Sequence, residues 1–269
     1  MKKAYATTLC NGDAYAPGVE ALGRSLVASG TKEAMVLMVT SDVSGAARRR
    51  LAAQGWSVRE IAPVKNPTPA KQQLFPRFDK VFTKLRAWEL TDFDKVVMLD
   101  ADTIILKNVD DLFDRPALSA APDFLLPDRF NSGVMVLEPS RETFARMLEA
   151  LAAAPSYDGG DQGFLNTFFA DWYAMPAAHR LPAGYNLHHF IYQFMSGHPS
   201  LRAEVQREAR IIHYTVQKPW KVRSTVTGGS SAWWNAYFGA HPEQDTEWKR
   251  ALHTMEDRSF DRVVAAFMG

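Results

Sequence analysis

The 269-residue chain carries 31 basic and 30 acidic side chains, so its net charge is +1, and 46% of its residues are hydrophobic. This composition supports a folded core and excludes a disordered chain. Because the charges balance, no global field attracts nucleic acid, and we predict no nucleic-acid partner. The single cysteine, Cys10, excludes an internal disulfide, and no apolar stretch has the length of a signal peptide or transmembrane segment. We therefore expect a cytoplasmic protein.

Apolar runs alternate with segments of helical period along the first part of the chain, which predicts an α/β domain. The predicted strands cover 3–10, 34–40 and 57–64, and the predicted helices cover 15–29 and 44–55. We expect Leu22, Leu26 and Val27 to share the buried side of the first helix, and Gly55 to close the second. A basic loop follows over 65–78, and loops beside such sheets often cover ligands.

The later part of the chain continues this pattern. It predicts strands over 131–139 and 210–215, a helix over 141–153, a loop into a helix over 158–169, and a C-terminal helical face formed by Phe260, Val263, Val264 and Phe267. No linker interrupts it, so we predict a single domain. Its parts are a nucleotide-binding half (about 1–105), an acceptor half (about 106–225) and a C-terminal helical region (about 226–269).

Two acids, Asp100 and Asp102, follow the apolar run in "KVVMLDADTIIL" (95–106). Alternate residues of a strand point to one side, roughly 6.6 to 7 Å apart, so these carboxylates should converge at the strand's carboxyl end. A divalent cation would remove their repulsion, and oxygen ligands suit Mg²⁺ or Mn²⁺ better than zinc. Alternatively, one acid caps the next turn and the other pairs with Lys107 or Arg115.

Two reaction classes use such a pair of acids. The haloacid-dehalogenase phosphatases employ the first acid as a nucleophile, but they also require a later acidic pair, and "GDQGFLN" ends here in Asn166. The metal-dependent nucleotide-sugar glycosyltransferases use the pair to hold the cation that bridges the donor diphosphate. Further motifs favour the second class.

Those motifs extend from about Tyr5 to Trp220. In chain order they are "TKLRAWEL", "KVVMLDADTIIL", "VDDLFDR", "LSAAPD", "FNSGVMVLEPS", "DGGDQGFLNTFF", "YNL", "IIHY" and "KPW". Their combination resembles glycogenin and its relatives in glycosyltransferase family eight. The resemblance implies a GT-A fold, which is a Rossmann-like mixed sheet flanked by helices. It also implies a UDP-sugar donor, dependence on Mn²⁺ with Mg²⁺ as the alternative, and transfer that retains the anomeric configuration.

The resemblance assigns roles to residues around the cation and the diphosphate. Asp100 and Asp102 would hold the metal with His213 of "IIHY" as the third ligand, and Lys218 of "KPW" would contact the donor phosphates. Neutral imidazole is a common metal ligand. The alternatives are a structural histidine at a strand end and a surface lysine beside a Pro-Trp corner.

The rest of the donor site follows from the same resemblance. Leu9, Asn11 and Tyr15 would contact uracil and ribose, with Ala101 and Arg77 as further donor contacts. The sugar would meet Lys84, Asn131, Ser132, Asp158, Asp161 and Gln162.

Among the sugar contacts, Lys84, Asp161 and Gln162 would act in catalysis. Retention requires either a double displacement with Asp161 as nucleophile or a front-side attack within an ion pair, and we favour the second. Asp161 is equally suited to cap the helix that follows it.

The acceptor is the least defined component. A transferase acting on a carbohydrate, lipid-linked or small-molecule acceptor is our first hypothesis. A self-glucosylating primer protein modified at Tyr192 is the second, and a non-catalytic binding module the third. We expect the acceptor pocket in loops 188–200 and 221–231. The aromatic strip over 230–242 either closes the core or forms a homodimer face.

Overall fold

The computed structural model describes residues 1–67, 76–151, 153, 156–215 and 218–220, without the side chains of 76–79. The chain divides into two compact units that are interleaved in the sequence. The first comprises Met1–Ala16, Lys32–Ala101 and Asp110–Ala183, and the second comprises Pro17–Thr31, Asp102–Val109 and the described residues from Gly184 onward. The boundaries expected near residues 105 and 225 stay predictions.

The strands are β1 (Lys3–Leu9), β2 (Ala34–Val39), β3 (Ser57–Glu60), β4 (Lys95–Leu99), β5 (Thr103–Ile105), β6 (Ser119–Pro122), β7 (Phe130–Leu137), β8 (Leu187–His188) and β9 (Ile211–His213). The helices are α1 (Ala16–Ala28), α2 (Gly45–Ala53), α3 (Arg141–Leu151), α4 (Asp161–Phe168), α5 (His189–Gly197) and α6 (Pro199–Glu208), and a 3₁₀ helix covers Pro76–Glu89.

The first unit is built on a six-stranded sheet in the order β3–β2–β1–β4–β7–β6. The strands from β3 to β4 run parallel, whereas β7 runs antiparallel to both β4 and β6. The expected mixed α/β sheet is therefore confirmed. Chain order reverses between β1 and β4, and in such sheets the crevice beyond the carboxyl ends of the strands at this reversal is the usual ligand site.

Local signals explain the elements around this sheet. Ser44 caps α2 by accepting a hydrogen bond from the Ala47 amide (3.1 Å), and the helix stops before Gly55, whose φ of +103° favours glycine, as predicted. Helix α3 places Phe144, Met147 and Leu151 in the core, at the spacing of one helical face.

The second unit contains a three-stranded sheet in the order β5–β9–β8 together with α1, α5 and α6. Ala21 of α1 packs with Ile104, Ile212 and Tyr214 in its core. The prediction that Val27 faces the core is wrong, because this side chain is 52% exposed. At 100° per residue, Val27 lies on the same side of the helix as Arg24 and Ala28, and all three side chains are exposed.

Residues 188–200 are mostly helical, in α5 and the start of α6, so the expectation of a loop there is wrong. The C-terminal helical face, the 230–242 strip and the loop over 221–231 lie outside the described residues. In the described part of the chain, no helix combines the length and the hydrophobicity that crossing a bilayer requires.

Candidate active site

Asp100 and Asp102 lie in the turn that joins β4 to β5, so the expectation that both belong to one strand is wrong. The Asp100 amide donates to the Gly133 carbonyl (2.9 Å), and the Asp102 carbonyl accepts from the Tyr214 amide (2.9 Å). The turn is thus fixed at both ends. One oxygen of each carboxylate and one ring nitrogen of His213 all lie within 4.8 Å of one another. The predicted convergence is confirmed, although by a turn.

The alternative in which one of the acids pairs with Lys107 finds no support in the contacts of this lysine. Its Nζ donates to the carbonyls of Gln206 (2.8 Å) and Arg207 (2.7 Å), so this lysine is directed to the end of α6.

The ring of His213 is oriented by its neighbour Asn186. The Nδ1 atom lies 2.8 Å from Asn186 Oδ1, which accepts a hydrogen bond, so Nδ1 carries the proton. Nε2, the other ring nitrogen, faces the acids and lies 3.3 Å from Asp102 Oδ1. This arrangement, in which the second ring nitrogen is oriented by an oxygen, is typical of metal-bound histidine. Asn186 belongs to the motif "YNL", but the sequence alone does not predict its contact with His213.

These residues fit a divalent cation of the Mn²⁺ class, because two carboxylates and one imidazole offer oxygen and nitrogen donors together. The imidazole and Asp102 are almost fully buried, with 4% and 7% exposure. Such burial holds the two donors in place.

Lys218 is also buried, and its ammonium group contacts the second carboxylate oxygen of Asp102. Its Nζ donates to Asp102 Oδ2 and to the carbonyls of Tyr214 (2.6 Å) and Thr215 (2.9 Å). Burial alone would raise the pKa of Asp102, but Lys218 and His213 outweigh it and hold that pKa below its ordinary value. Lys218 is therefore no free surface lysine. To contact a phosphate it would have to release one of these acceptors.

Lys84 forms the centre of a second ionic cluster, within the first unit. Its Nζ lies 2.7 Å from both Asp100 Oδ1 and Asp161 Oδ2, and it donates to Ser132 Oγ (3.2 Å). The Ser132 hydroxyl in turn donates to Asp161 Oδ2 (2.9 Å). Burial would lower the pKa of Lys84, but Asp100 and Asp161 raise it above its usual value. The ammonium group therefore stays charged between the two acids. Three of the predicted sugar contacts meet here.

Gln162 and Asn131, the next predicted sugar contacts, share a partner that sequence reasoning missed. Asp123 Oδ2 accepts from Asn131 Nδ2 (3.2 Å) and from Gln162 Nε2 (3.2 Å). Gln162 Oε1 also accepts from the Ser132 amide (3.3 Å). The motif "LSAAPD" ends in Asp123, but sequence spacing alone does not bring it to residues 8 and 39 positions away.

The glycine-rich turn before α4 positions Asp161. Gly160, and not Asp161, is the N-cap residue, so the expectation of a capping Asp161 is wrong. Asp161 is the first helical residue, where the helix dipole favours a negative charge. Asp158 Oδ1 accepts from the amides of Gly160 (2.8 Å) and Gly163 (3.1 Å), so this oxygen fastens the turn. A Cβ at Gly163 would lie 2.4 Å from it, which explains the glycine.

Asn166 anchors α4 to β7 through the backbone of Phe130. Its Oδ1 accepts from the Phe130 amide and its Nδ2 donates to the Phe130 carbonyl, both at 2.9 Å. The residue that departs from the phosphatase pattern is thus a structural contact that orients Asp161 and Gln162.

The predicted nucleobase contacts lie at the carboxyl end of β1. The side chain of Leu9 is fully buried and its carbonyl accepts from the Thr40 amide (3.2 Å), so it belongs to the sheet. Asn11 is exposed, with a φ of +64°, and Tyr15 is half-buried. Ala101 is buried in the turn between the two acids. The Arg77 side chain lies outside the described residues, so its donor role stays a prediction.

Asp42 holds the loop that carries Asn11. It accepts hydrogen bonds from the Gly12 amide (2.9 Å), from Lys80 Nζ (2.8 Å) and from the Thr40 hydroxyl. The hydrogen bonds from Lys80 and Thr40 lower the pKa of Asp42 to about 2, so it is ionised at neutral pH. One carboxylate therefore joins the ends of β1 and β2 to the 3₁₀ helix.

The mixed sheet, with an acid pair at the reversal of strand order, is the arrangement of a GT-A type glycosyltransferase fold. The chain belongs to glycosyl transferase family 8, whose family model matches residues 6–223. This membership removes the phosphatase alternative.

The relatives of this chain within the family include a glycogenin and a glucuronosyltransferase. Glycogenin-1 of Caenorhabditis elegans is 37% identical over 242 residues, which are 87% of this chain and 55% of that protein. UDP-glucuronate:xylan alpha-glucuronosyltransferase 1 of Arabidopsis thaliana is 36% identical over 81% of this chain and 32% of its own length. This chain thus spans only a third to about half of these relatives.

The fold is also similar to that of a solved transferase, of which the matched part covers nearly the whole chain. The galactosyltransferase LgtC, solved in complex with donor and acceptor sugar analogs, superimposes with a TM-score of 0.58. It is 19% identical and covers 89% of this chain and 96% of its own.

Proposed function

We propose that the protein is a retaining, metal-dependent glycosyltransferase that moves a hexose from a UDP-sugar to an acceptor hydroxyl. The observation that carries this proposal is the group formed by Asp100, Asp102 and His213 beyond the carboxyl end of β4. Family membership supports it, since the named relatives include a UDP-glucuronate-dependent enzyme. We further propose a cytoplasmic location, supported by the free thiol of Cys10.

The proposed cofactor is Mn²⁺, with Mg²⁺ as the alternative, held by Asp100, Asp102 and His213. When bound, the cation supplies positive charge that stabilises the leaving diphosphate. Lys218 adds a second cation beside Asp102 for the same diphosphate. Asn186 keeps the His213 ring in the tautomer that leaves Nε2 available.

The proposed sugar position is the cluster around Lys84. Asp161 and Gln162 lie on the first turn of α4 and face Ser132, which keeps both side chains fixed. Lys84 neutralises Asp161 and lies within 2.7 Å of it, which reduces the strength of this carboxylate as a nucleophile. We therefore favour front-side attack over a covalent intermediate on Asp161.

In this reaction the acceptor oxygen attacks the anomeric carbon on the face that the diphosphate leaves. The bond between that carbon and the β-phosphate oxygen breaks, and the acceptor proton passes to the departing phosphate oxygen. Asp161 and Gln162 stabilise the positive charge that develops on the sugar ring. The products are the glycosylated acceptor and UDP.

The self-glucosylating alternative has less support. Tyr192 lies on α5 and packs, partly buried, against the apolar clusters of the second unit. Its ring thus contributes to the core. Intact mass before and after incubation with UDP-glucose tests this alternative: a ladder of hexose additions in the wild type that is lost in Tyr192→Phe would establish it.

The test of the proposed function is UDP release from UDP-glucose, UDP-galactose, UDP-glucuronate and UDP-N-acetylglucosamine, with and without Mn²⁺. We expect slow release from one donor, with metal only. Asp102→Asn and His213→Ala should each abolish it, whereas His198→Gln, which changes an exposed histidine, should retain it. Full activity in either of the first two variants would refute the metal assignment. Donor binding that survives Asp102→Ala, with no turnover in either form, would indicate a non-catalytic module.

A further inference from the structure

The loop between β6 and β7 presents three consecutive apolar side chains to solvent. Phe124 is 54% exposed, Leu125 79% and Leu126 46%, and we call these three residues the apolar tip. Other exposed apolar side chains of the first unit, such as Leu148 and Tyr173, stand singly, which is common on protein surfaces. A contiguous run is uncommon without a partner.

The apolar tip has a defined conformation. Asp123 Oδ1 accepts from the amides of Leu125 (2.9 Å) and Leu126 (3.2 Å). The Arg129 amide donates to the Leu126 carbonyl, and the Asp123 amide donates to the Arg129 carbonyl, both at 2.8 Å. These bonds close the turn, so the apolar side chains are held in an outward position by the backbone.

The same Asp123 side chain connects the apolar tip to the proposed sugar position. Its second oxygen accepts from Asn131 and Gln162, both at 3.2 Å. Gln162 also donates to the hydroxyl of Tyr157 (3.3 Å), whose ring is 49% exposed. Leu125 is two residues from Asp123, a span of at most about 7 Å. A molecule bound at Gln162 therefore has apolar surface within reach on the tip and on Tyr157.

The charges around the apolar tip favour an uncharged partner. Asp123 and Asp128 flank it, and Arg129 Nε lies 3.5 Å from Asp128 Oδ2. No excess of positive charge is present among these flanking residues, so an anionic lipid headgroup gains nothing here.

We propose that the acceptor carries an uncharged apolar group, an alkyl chain or an aromatic aglycone, next to the hydroxyl that receives the sugar. The apolar tip and Tyr157 bind this group. The inference rests on the proposed function, because that function places the donor sugar at Asp161 and Gln162, and it defines the acceptor class more narrowly.

The test uses the full chain with ¹³C-labelled leucine methyl groups, saturated with UDP and Mn²⁺. Octyl β-D-glucopyranoside and methyl β-D-glucopyranoside are titrated below the micelle concentration. We expect the octyl glycoside to shift the Leu125 and Leu126 signals at a concentration at least about tenfold lower than the methyl glycoside, because the longer chain buries more apolar area. Leu125→Ser should reduce this preference below about threefold. Leu148→Ser, a matched change at another exposed leucine, should preserve it.

Equal response to the two glycosides, or no shift at Leu125 and Leu126, would overturn the inference. A concentration-dependent dimer in sedimentation velocity that Leu125→Ser dissolves would also overturn it, because a second copy would then cover the apolar tip. UDP release measured without an acceptor distinguishes a failure of this inference from a failure of the proposed function. Release without an octyl preference refutes this inference alone, whereas an octyl preference without release from any donor refutes both the acceptor assignment and the proposed function.

Discussion

Two buried lysines each hold one acid of the Asp-Ala-Asp turn, and their surroundings differ. Lys84, in the first unit, lies between two carboxylates, those of Asp100 and Asp161. Lys218, in the second unit, contacts one carboxylate, that of Asp102, and two neutral carbonyls. Lys84 is thus fixed by charge on two sides, whereas part of the hold on Lys218 comes from carbonyls three and four residues before it. We propose that Lys84 orients the proposed sugar position and that Lys218 is the cation better able to exchange partners.

Removing the charge of Lys84 should have the largest effect. Lys84→Met leaves the buried Asp161 and the partly exposed Asp100 without a cation, and the unpaired charge of Asp161 alone should lower the free energy of unfolding by roughly 3–5 kcal/mol. UDP release should fall by about 10²–10³-fold, because the acids lose their alignment. Urea unfolding and turnover measure the two effects. Lys107→Met, which removes a lysine that donates to the carbonyls of Gln206 and Arg207, is the control and should change neither by much.

The corresponding change at Lys218 should be milder and should depend on the cofactor. Lys218→Met leaves one acid, Asp102, next to His213, so it should destabilise the protein less than Lys84→Met does. Adding Mn²⁺ with UDP should recover more of the free energy of unfolding in this variant than it adds to the wild type. Equal gains in the two proteins would show that Lys218 and the cation do not share Asp102.

A change that loosens the loop carrying Asn11 should have a smaller effect, and we expect that effect only on donor affinity. Asp42→Ala removes the acceptor for the Gly12 amide and for Lys80, so the loop loses its fixed conformation. The KM for the UDP-sugar should rise about three- to tenfold with kcat within about twofold, as expected for the loss of one or two hydrogen bonds. Asp42→Asn keeps an acceptor for Gly12 and should restore most of the affinity. A fall in kcat at unchanged KM would contradict this role.

The smallest expected effect concerns acid stability in the second unit. His189 stacks on Tyr214, and burial, with Lys218 nearby, lowers its pKa to about 4. The unfolded chain takes up this proton near pH 6.5, so the folded state loses stability as the pH falls from about 6.5 towards 4. His189→Phe should lessen that loss when urea unfolding is compared at pH 7 and pH 5. The same pH dependence in both proteins would refute the attribution.

Local patterns predicted the first strands and helices because a run such as "AMVLMVT" and the Ser44 cap act over a few residues. In the second sheet only β9 lies within a predicted strand, the one over 210–215. Strands β5 and β8 could not be predicted in this way, since they have three and two residues and show no period. Helix α5 was missed because "HHFIYQFM" is apolar around most of its circumference.

Local patterns were also insufficient to predict the contacts within the candidate site. The acids and His213 could be named from motifs, but their partners are remote in sequence. Lys84 and Asp161 are 77 residues apart, and Lys218 and Asp102 are 116 residues apart. Only the fold brings such charges together, so neither ion pair follows from spacing. The contacts of Asp123 and Asn186 are also remote in sequence, so their roles could not be predicted. This holds although Asp123 ends the motif "LSAAPD" and Asn186 lies within "YNL".

We propose that Asp100, Asp102 and His213 together hold one divalent cation. A titration of the protein with Mn²⁺ in the presence of UDP, followed by electron paramagnetic resonance of the free ion, tests this proposal. We expect one bound Mn²⁺ per wild-type chain and per His198→Gln chain, and binding weaker by about tenfold or more in folded Asp102→Asn and His213→Ala. Equal binding by all four proteins would contradict it.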